Sequence, residues 1–110
     1  MSTYLIKEPF TITRQAGDIS DVVFVLQNTL SLSGKTVKFQ VRSSKGVLII
    51  DKVSPTNITV LSQTITIPLL AVDTEGYKGT YSWELEISAS TTVKITIGNG
   101  DFIITKTTIP

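Results

Sequence analysis

Two glutamates, Glu84 and Glu86, have the type and spacing that come nearest to a known chemistry in this sequence. On a strand, residues two positions apart share one face, with Cα atoms about 6 to 7 Å from each other. Paired carboxylates can carry out glycoside hydrolysis. Ser82 and Ser88 share that face, and such a polar set is far more typical of the solvated side of a strand. We therefore interpret these glutamates as an outer face.

The sequence lacks the residues that most often perform acid–base or nucleophilic chemistry. It contains neither histidine nor cysteine, which removes the usual general base, the thiol nucleophile, thiolate metal sites and disulfides. Serine and threonine are plentiful, but none has an activating partner at a recognisable spacing. We predict a protein that is not an enzyme, with no catalytic residues and no cofactor.

Two acidic pairs could contribute to a calcium site, since hard cations take several oxygen ligands. Asp18 lies near Asp21, and Asp73 lies near Glu75, but neither pair belongs to an EF-hand loop. A turn explains Asp18 and a helix cap explains Asp73, so we predict no metal site. The segment 98–100, Gly-Asn-Gly, is a turn signal and is too short to cradle a phosphate.

Aromatic side chains could form a platform for a sugar ring. Most of them, however, fall on the inward positions of predicted strands: Phe10, Phe24, Phe39, Tyr81 and Trp83. Only Tyr4 and Tyr77 are left on exposed positions. We expect Trp83 to pack in the core, where its replacement by alanine would cost about 3 to 5 kcal/mol.

Alternating apolar and polar residues predict a series of short strands. In chain order the predicted strands cover residues 10–14, 19–26, 35–42, 47–53, 58–60, 64–70, 79–88, 93–97 and 102–107. Residues 71–76 are the best helical candidate, as a single turn. Short strands at intervals of about ten residues indicate an all-β, immunoglobulin-like antiparallel β-sandwich of seven to nine strands; a barrel is the structural alternative.

Two strands carry unusual residues. The strand at 19–26 has apolar residues on both faces after Asp21, which predicts a strand that is central or covered. Pro68 cannot donate to a ladder, so its amide side should face an edge or a bulge. The clearest alternation lies at 35–42, and the strand at 79–88 also alternates, around the only tryptophan, so we place 79–88 at the centre of the fold.

Composition limits the classes of partner. The chain has 110 residues, ten basic and nine acidic, with a net charge of +1. No basic block exists to follow a phosphate backbone, so we predict no nucleic acid partner. No apolar run reaches membrane-spanning length and no secretory signal is evident. We predict an N-terminal arm at residues 1–8 and one sandwich domain at residues 9–110.

Four segments, in this order, carry a resemblance to a known family. They are Gln-Ala-Gly-Asp at 15–18 leading into the apolar strand 22–26, Leu-Ser-Gly-Lys-Thr-Val-Lys-Phe at 32–39, Gly-Thr-Tyr-Ser-Trp-Glu-Leu-Glu-Ile at 79–87, and Gly-Asp-Phe-Ile-Ile at 100–104. The set resembles the immunoglobulin-like domains of tailed-phage virion proteins, in particular the N-terminal domain of the phage baseplate upper protein family. It spans most of residues 10–107.

This resemblance implies a multi-copy structural protein of the virion, made in the cytoplasm of the host bacterium. Its partners would be the major capsid, tail or baseplate subunits. Members of the family join this domain to others, whereas this sequence stops at Pro110, which fits a capsid decoration protein, a head-fibre base or a tail adaptor. We expect contacts with neighbouring subunits at apolar residues near the two ends: Tyr4, Leu5, Ile6, Ile109 and Pro110. An equally good interpretation is that these residues cover the ends of the sandwich.

An alternative is a carbohydrate- or host-receptor-binding module of a tail or head fibre, with a host glycan as the ligand. Such a module needs exposed aromatic residues beside polar loops. Tyr77, together with the loops at 43–46 and 89–92, is the best candidate.

Overall fold

The computed structural model describes residues 11–25, 34–61, 64–88 and 94–106. Within these ranges the chain forms eight strands and one short helix. They are β1 (Ile12–Gln15), β2 (Ser20–Val25), β3 (Thr36–Arg42), β4 (Leu48–Val53), β5 (Thr59–Leu61), β6 (Thr64–Leu69), α1 (Ala71–Thr74), β7 (Gly79–Ser88) and β8 (Lys94–Thr105).

The strands form two sheets. The five-stranded sheet has the order β1-β8-β7-β3-β4, and the three-stranded sheet has the order β2-β6-β5. Every described pair is antiparallel except β1 with β8, which is parallel. The predicted immunoglobulin-like sandwich is therefore confirmed, and β7 lies at the middle of the larger sheet as expected.

Alternation along each strand sends one set of side chains into a single core between the sheets. The large sheet contributes Val37, Phe39, Val41, Leu85 and Ile87, among others, and the small sheet contributes Val22, Ile65, Ile67 and Leu69. Trp83 is buried at the centre, with 1% of its surface exposed. The inward positions predicted for β3, β6 and β7 are confirmed.

Four aromatic rings connect the two sheets through this core. Phe24 of the small sheet stacks on Trp83 of the large sheet, with ring centroids 5.4 Å apart. Phe39 lies 6.0 Å from Trp83 and 6.4 Å from Phe102. Aromatic pairs at such distances are worth about 0.5 to 1.5 kcal/mol beyond their burial, so this cluster holds the sheets face to face.

The helical turn α1 closes one side of the sandwich through polar contacts. Asp73 forms an ion pair with Lys52 of β4, with Oδ2 and Nζ 2.7 Å apart, and the side chains are 15% and 9% exposed. The same carboxylate accepts a hydrogen bond from the Leu70 amide at 2.7 Å. Thr74 is buried, and its hydroxyl accepts from the Gly17 amide at 2.9 Å. Edge strand β4 and the β1–β2 turn are thereby both anchored to α1.

The turn predicted at residues 15–18 is confirmed. The Asp18 amide donates to the Gln15 carbonyl at 3.1 Å, and Gly17 has a φ of 85°, which glycine adopts most readily. Across this turn, Arg14 of β1 donates hydrogen bonds to the Ser20 hydroxyl and to the Asp21 carbonyl of β2, each at 3.0 Å. The turn and the arginine together join the two sheets at this corner.

The prediction for the second strand is wrong in one respect. β2 is an edge strand in the described part of the chain, and its Val23 and Val25 are 51% and 46% exposed. Apolar residues on both faces of a strand usually mean cover on both faces, but here the second face is a surface. The prediction for Pro68 holds, because the β5 ladder reaches only Thr66, so β6 has one described neighbour at the proline.

Residues 94–105 form one strand, so the segment predicted at 102–107, either a continuation or a final strand, is a continuation of the segment predicted at 93–97. The register of β7 with β8 shifts between Leu85 and Glu86, whose partners are Gly98 and Thr96. This register shift lies beside Gly98, the first residue of the Gly-Asn-Gly segment, which lies within the strand and does not form a turn.

Candidate functional site

The paired glutamates lie where the alternation places them, on the outer face of the five-stranded sheet. Glu84 is exposed and Glu86 is half-buried. Each faces side chains from the neighbouring strands: Glu84 lies between Gln40 and Asn99, and Glu86 lies between Lys38 and Thr96. We refer to this outer face as the polar face, because charged or amide side chains point outward on β3, β4, β7 and β8.

A groove of about 450 Å³ crosses the polar face over β3, β7 and β8. Two cross-strand rows form its walls: Gln40, Glu84 and Asn99 in one row, and Arg42, Ser82 and Asp101 in the other. Trp83 and Gly100 lie between the rows and are paired with each other. Ligand sites commonly have volumes of about 300 to 1,000 Å³, so this groove is large enough to hold a small molecule or a short chain.

Side-chain hydrogen bonds fix one wall of the groove. The Gln40 amide donates to Asp51 Oδ1 at 3.2 Å, and its Oε1 accepts from Arg42 Nη2 at 3.0 Å. Arg42 Nη1 also donates to the Gly46 carbonyl in the β3–β4 turn, at 3.4 Å. These contacts hold the guanidinium and the amide in place with donors still available to a ligand.

Two irregularities in strand pairing flank the groove. One is the β7–β8 shift between Leu85 and Glu86, and the other is a β3–β4 shift between Val41 and Arg42. A bulge bends the strand that carries it and increases the local twist. Bends at these two positions add to the regular twist of the sheet beneath the groove.

The outer face of the three-stranded sheet has the opposite chemistry, and we call it the apolar face. Its rows, read across the sheet, are Val25, Thr64 and Leu61, then Val23, Thr66 and Thr59, then Asp21 and Pro68. Leu61 is 74% exposed. Exposed Ile19 and Leu70 flank the Ser20–Leu69 pair at one end of this sheet. Contiguous exposed apolar patches on a small domain usually mark interaction sites.

The acidic residues considered as calcium ligands lie in different parts of the fold. Asp18 lies in the β1–β2 turn, and Asp21 points outward on β2. Asp73 is engaged by Lys52 and by the Leu70 amide. Among the described residues there is no group of three or more acidic side chains suited to a metal ion.

Of the six predicted interface residues, only Tyr77 lies in the described part of the chain. It is 37% exposed, and its ring meets that of Tyr81 edge to face at 6.1 Å. Tyr4, Leu5, Ile6, Ile109 and Pro110 lie outside the described residues, as does Phe10.

Of the two loops considered beside Tyr77, residues 43–46 lie in the described part of the chain and residues 89–92 lie outside it. Tyr77 precedes the start of β7, whereas residues 89–92, which lie outside the described residues, follow its last residue, Ser88. A strand of ten residues spans about 30 Å at the usual rise. The glycan site at Tyr77 therefore stays a prediction.

The residues that form these two surfaces have only weak signals in the sequence. Gln40, Asn99 and Asp101 are distant in sequence, and only the register of three strands brings them together. A signal for the apolar face is present, since Val23 and Val25 occupy positions where a solvated strand would have polar residues. From sequence, apolar residues on both faces predict a strand that is central or covered, without indicating what covers it.

Comparisons with known proteins support the fold. No protein-family model matches the chain, and no curated protein matches it. Among solved structures, the chain is similar to the fibronectin(III)-like modules of CbhA from Clostridium thermocellum, with a TM-score of 0.50 and 8% sequence identity. The similarity covers 96% of this chain and 98% of the other. At this identity the likeness shows a shared β-sandwich fold and nothing about function. No helix in the described ranges is long and apolar enough to span a membrane.

Proposed function

We propose that this protein is a structural component of a bacteriophage particle. It docks as a small immunoglobulin-like module onto a larger symmetric assembly, either the capsid or the tail, as a decoration or adaptor protein. The proposal rests on the resemblance of the four segments to virion immunoglobulin-like domains. It also rests on a sequence without histidine or cysteine. Its role is mechanical, and it is present in many copies.

The observation that carries the docking role is the apolar face. Val23, Val25 and Leu61 are each about half exposed or more, on the same side of one sheet. Complete burial of a valine or leucine side chain is worth about 1.5 to 3 kcal/mol, so covering these three residues would favour association by several kcal/mol. The fitting partner is an apolar strip on a neighbouring virion subunit. Asp21 is the one charged side chain on this face in the described part of the chain.

The weak net charge is compatible with such packing. Because each copy has a net charge of only +1, electrostatic repulsion between neighbouring copies is weak, so many modules can bind close together on one particle. If the apolar face is against the particle, the polar face on the other sheet is turned towards solvent.

The test is incorporation into particles. Phage lacking the gene would be complemented with wild-type protein or with the double variant Val25→Lys, Leu61→Lys, and copies per purified particle would be counted by quantitative mass spectrometry. We expect at least a tenfold loss for this variant, because each lysine would place a charge in a dry contact. The matched control is Thr13→Lys, Thr80→Lys, which adds the same charge at exposed positions of the polar face and should bind within twofold of wild type.

Equal incorporation of the two double variants would contradict docking through the apolar face. A deletion variant lacking residues 1–8 separates the contribution of the face from that of the arm. If the arm also contacts neighbouring subunits, this deletion leaves the fold intact and lowers incorporation. Normal incorporation would show that the arm is not needed for docking.

A further inference from the structure

We propose that the groove on the polar face is a binding site for a neutral oligosaccharide. This inference does not depend on the virion role, because it concerns the isolated domain and the sheet opposite to the apolar face. Its residues are Gln40, Glu84 and Asn99 in one row and Arg42, Ser82 and Asp101 in the other.

Hydrogen-bond donors and acceptors are closely mixed in the groove. In the row of Gln40, Glu84 and Asn99, a carboxylate lies between two side-chain amides. In the row of Arg42, Ser82 and Asp101, a hydroxyl lies between a guanidinium and a carboxylate. Neighbouring strands are about 4.8 Å apart, so donor and acceptor alternate at short intervals in both directions. Sugar hydroxyls both donate and accept, and vicinal hydroxyls match the paired atoms of carboxylate, amide and guanidinium groups.

The charges in the groove disfavour ionic ligands of either sign. The groove contains one cation, Arg42, and two carboxylates, Glu84 and Asp101. This slightly negative balance disfavours phosphate and other polyanions. Arg42 donates hydrogen bonds to Gln40 Oε1 and to the Gly46 carbonyl, which hold it in the groove. Its positive charge disfavours binding of a basic peptide. A neutral ligand with many hydroxyls avoids both conflicts.

One wall of the groove is preorganised. The chain of hydrogen bonds from Asp51 through Gln40 to Arg42 fixes two of the longest side chains before any ligand arrives. Immobilising such a side chain on binding has an entropic cost, and in this wall the side chains are already ordered in the free protein. The groove is open along the sheet and lies on three strands, a shape that accepts an internal stretch of a chain.

The test uses ¹⁵N-labelled wild-type protein and NMR titration with defined probes. These are the neutral hexasaccharides of cellulose, starch, chitin and laminarin, with heparin and a tetralysine peptide as charged competitors. We expect amide shifts at residues 40–42, 82–84 and 99–101 with at least one neutral hexasaccharide. Glu84→Ala and Asn99→Ala should each weaken that binding at least tenfold.

The matched control is Thr36→Ala, which removes an exposed side chain from the same face outside the groove. It should bind within twofold of wild type, and the thermal midpoint of each variant would confirm folding. Shifts caused only by tetralysine or only by heparin would overturn the proposal, as would saccharide shifts centred on Tyr77. Absence of shifts with all four neutral hexasaccharides would overturn it as well. None of these outcomes bears on incorporation into particles, so the two proposals can fail separately.

Discussion

The two outer faces of the sandwich follow the same strand alternation but carry different side chains. On the five-stranded sheet, charged residues stand outward on four strands, and Asp51, Gln40 and Arg42 are connected by hydrogen bonds. On the three-stranded sheet the outward positions of the described strands hold valine, leucine, proline and threonine with a single aspartate. The core between the sheets is formed by the inward residues, so this difference in the outward residues is not explained by packing of the core.

The two sheets also differ in how their edge strands are protected against pairing with another chain. Edge strand β4 of the large sheet carries an inward-pointing lysine, Lys52, a device that discourages pairing with another chain. β5 is protected by its length of three residues. β2 has six residues, and among the described residues Asp21 is its one such protection. In the described part of the chain the small sheet therefore has both an apolar face and an unpaired edge strand, two features that favour association.

The largest expected effect tests whether both faces depend on one core. Trp83→Ala removes the ring that Phe24 and Phe39 pack against, and the free energy of unfolding should fall by about 3 to 5 kcal/mol. Urea denaturation followed by circular dichroism measures it. Trp83→Phe keeps most of the volume and should cost clearly less. A loss below about 1 kcal/mol for the alanine variant would mean that the sheets are not held together by this cluster.

Much of the fold could be predicted from local sequence, because inward and outward residues alternate strictly. The bounds of β7 at Gly79 and Ser88 are those predicted, and Pro68 lies where a missing donor is tolerated. The position of β2 could not be predicted. An apolar residue at Val23 has the same sequence signature whether another part of the fold or a separate molecule covers it.

The groove could not be predicted for a different reason. Its shape depends on two register shifts, and its composition depends on which residues of β3 and β8 flank Glu84. Neither is a local property of sequence. The alternation did indicate correctly that Glu84 and Glu86 point away from the core, but it contains no information about their neighbours on other strands.

The second prediction concerns the contact that closes the side of the sandwich between the faces. Asp73→Ala leaves Lys52 without its partner and removes the acceptor for the Leu70 amide. We expect the free energy of unfolding to fall by about 2 to 3 kcal/mol. This is less than the 3 to 5 kcal/mol lost when a fully buried ion pair is broken, because water reaches both side chains. Urea denaturation measures this loss as well. Asp73→Asn keeps an acceptor for the amide and should lose less. Equal losses in the two variants would mean that the whole loss of stability comes from removing the negative charge of Asp73.

The third prediction concerns the turn beside the groove. Gly46 has a φ of 83°, and a built Cβ would meet no atom within 4 Å. Gly46→Ala should therefore cost about 1 to 2 kcal/mol through backbone conformation alone, measured as a shift in the urea midpoint. Gly46→Asn, a residue that tolerates positive φ, should cost less. If alanine costs no more than asparagine, the turn changes its conformation freely, and the Arg42 contact to the Gly46 carbonyl does not fix the groove wall.

The smallest expected effect addresses the apolar face directly, through two adjacent valines on β2. Val23 is exposed and Val22 is buried, and threonine replaces valine with little change of shape while adding a hydroxyl. Val23→Thr should change the free energy of unfolding by less than about 0.5 kcal/mol, whereas Val22→Thr buries an unpaired hydroxyl and should cost about 1 to 3 kcal/mol. Urea denaturation of both variants at low protein concentration measures the difference. Similar losses would mean that Val23 is covered in solution, and the contrast between the two faces would then no longer support docking through the small sheet.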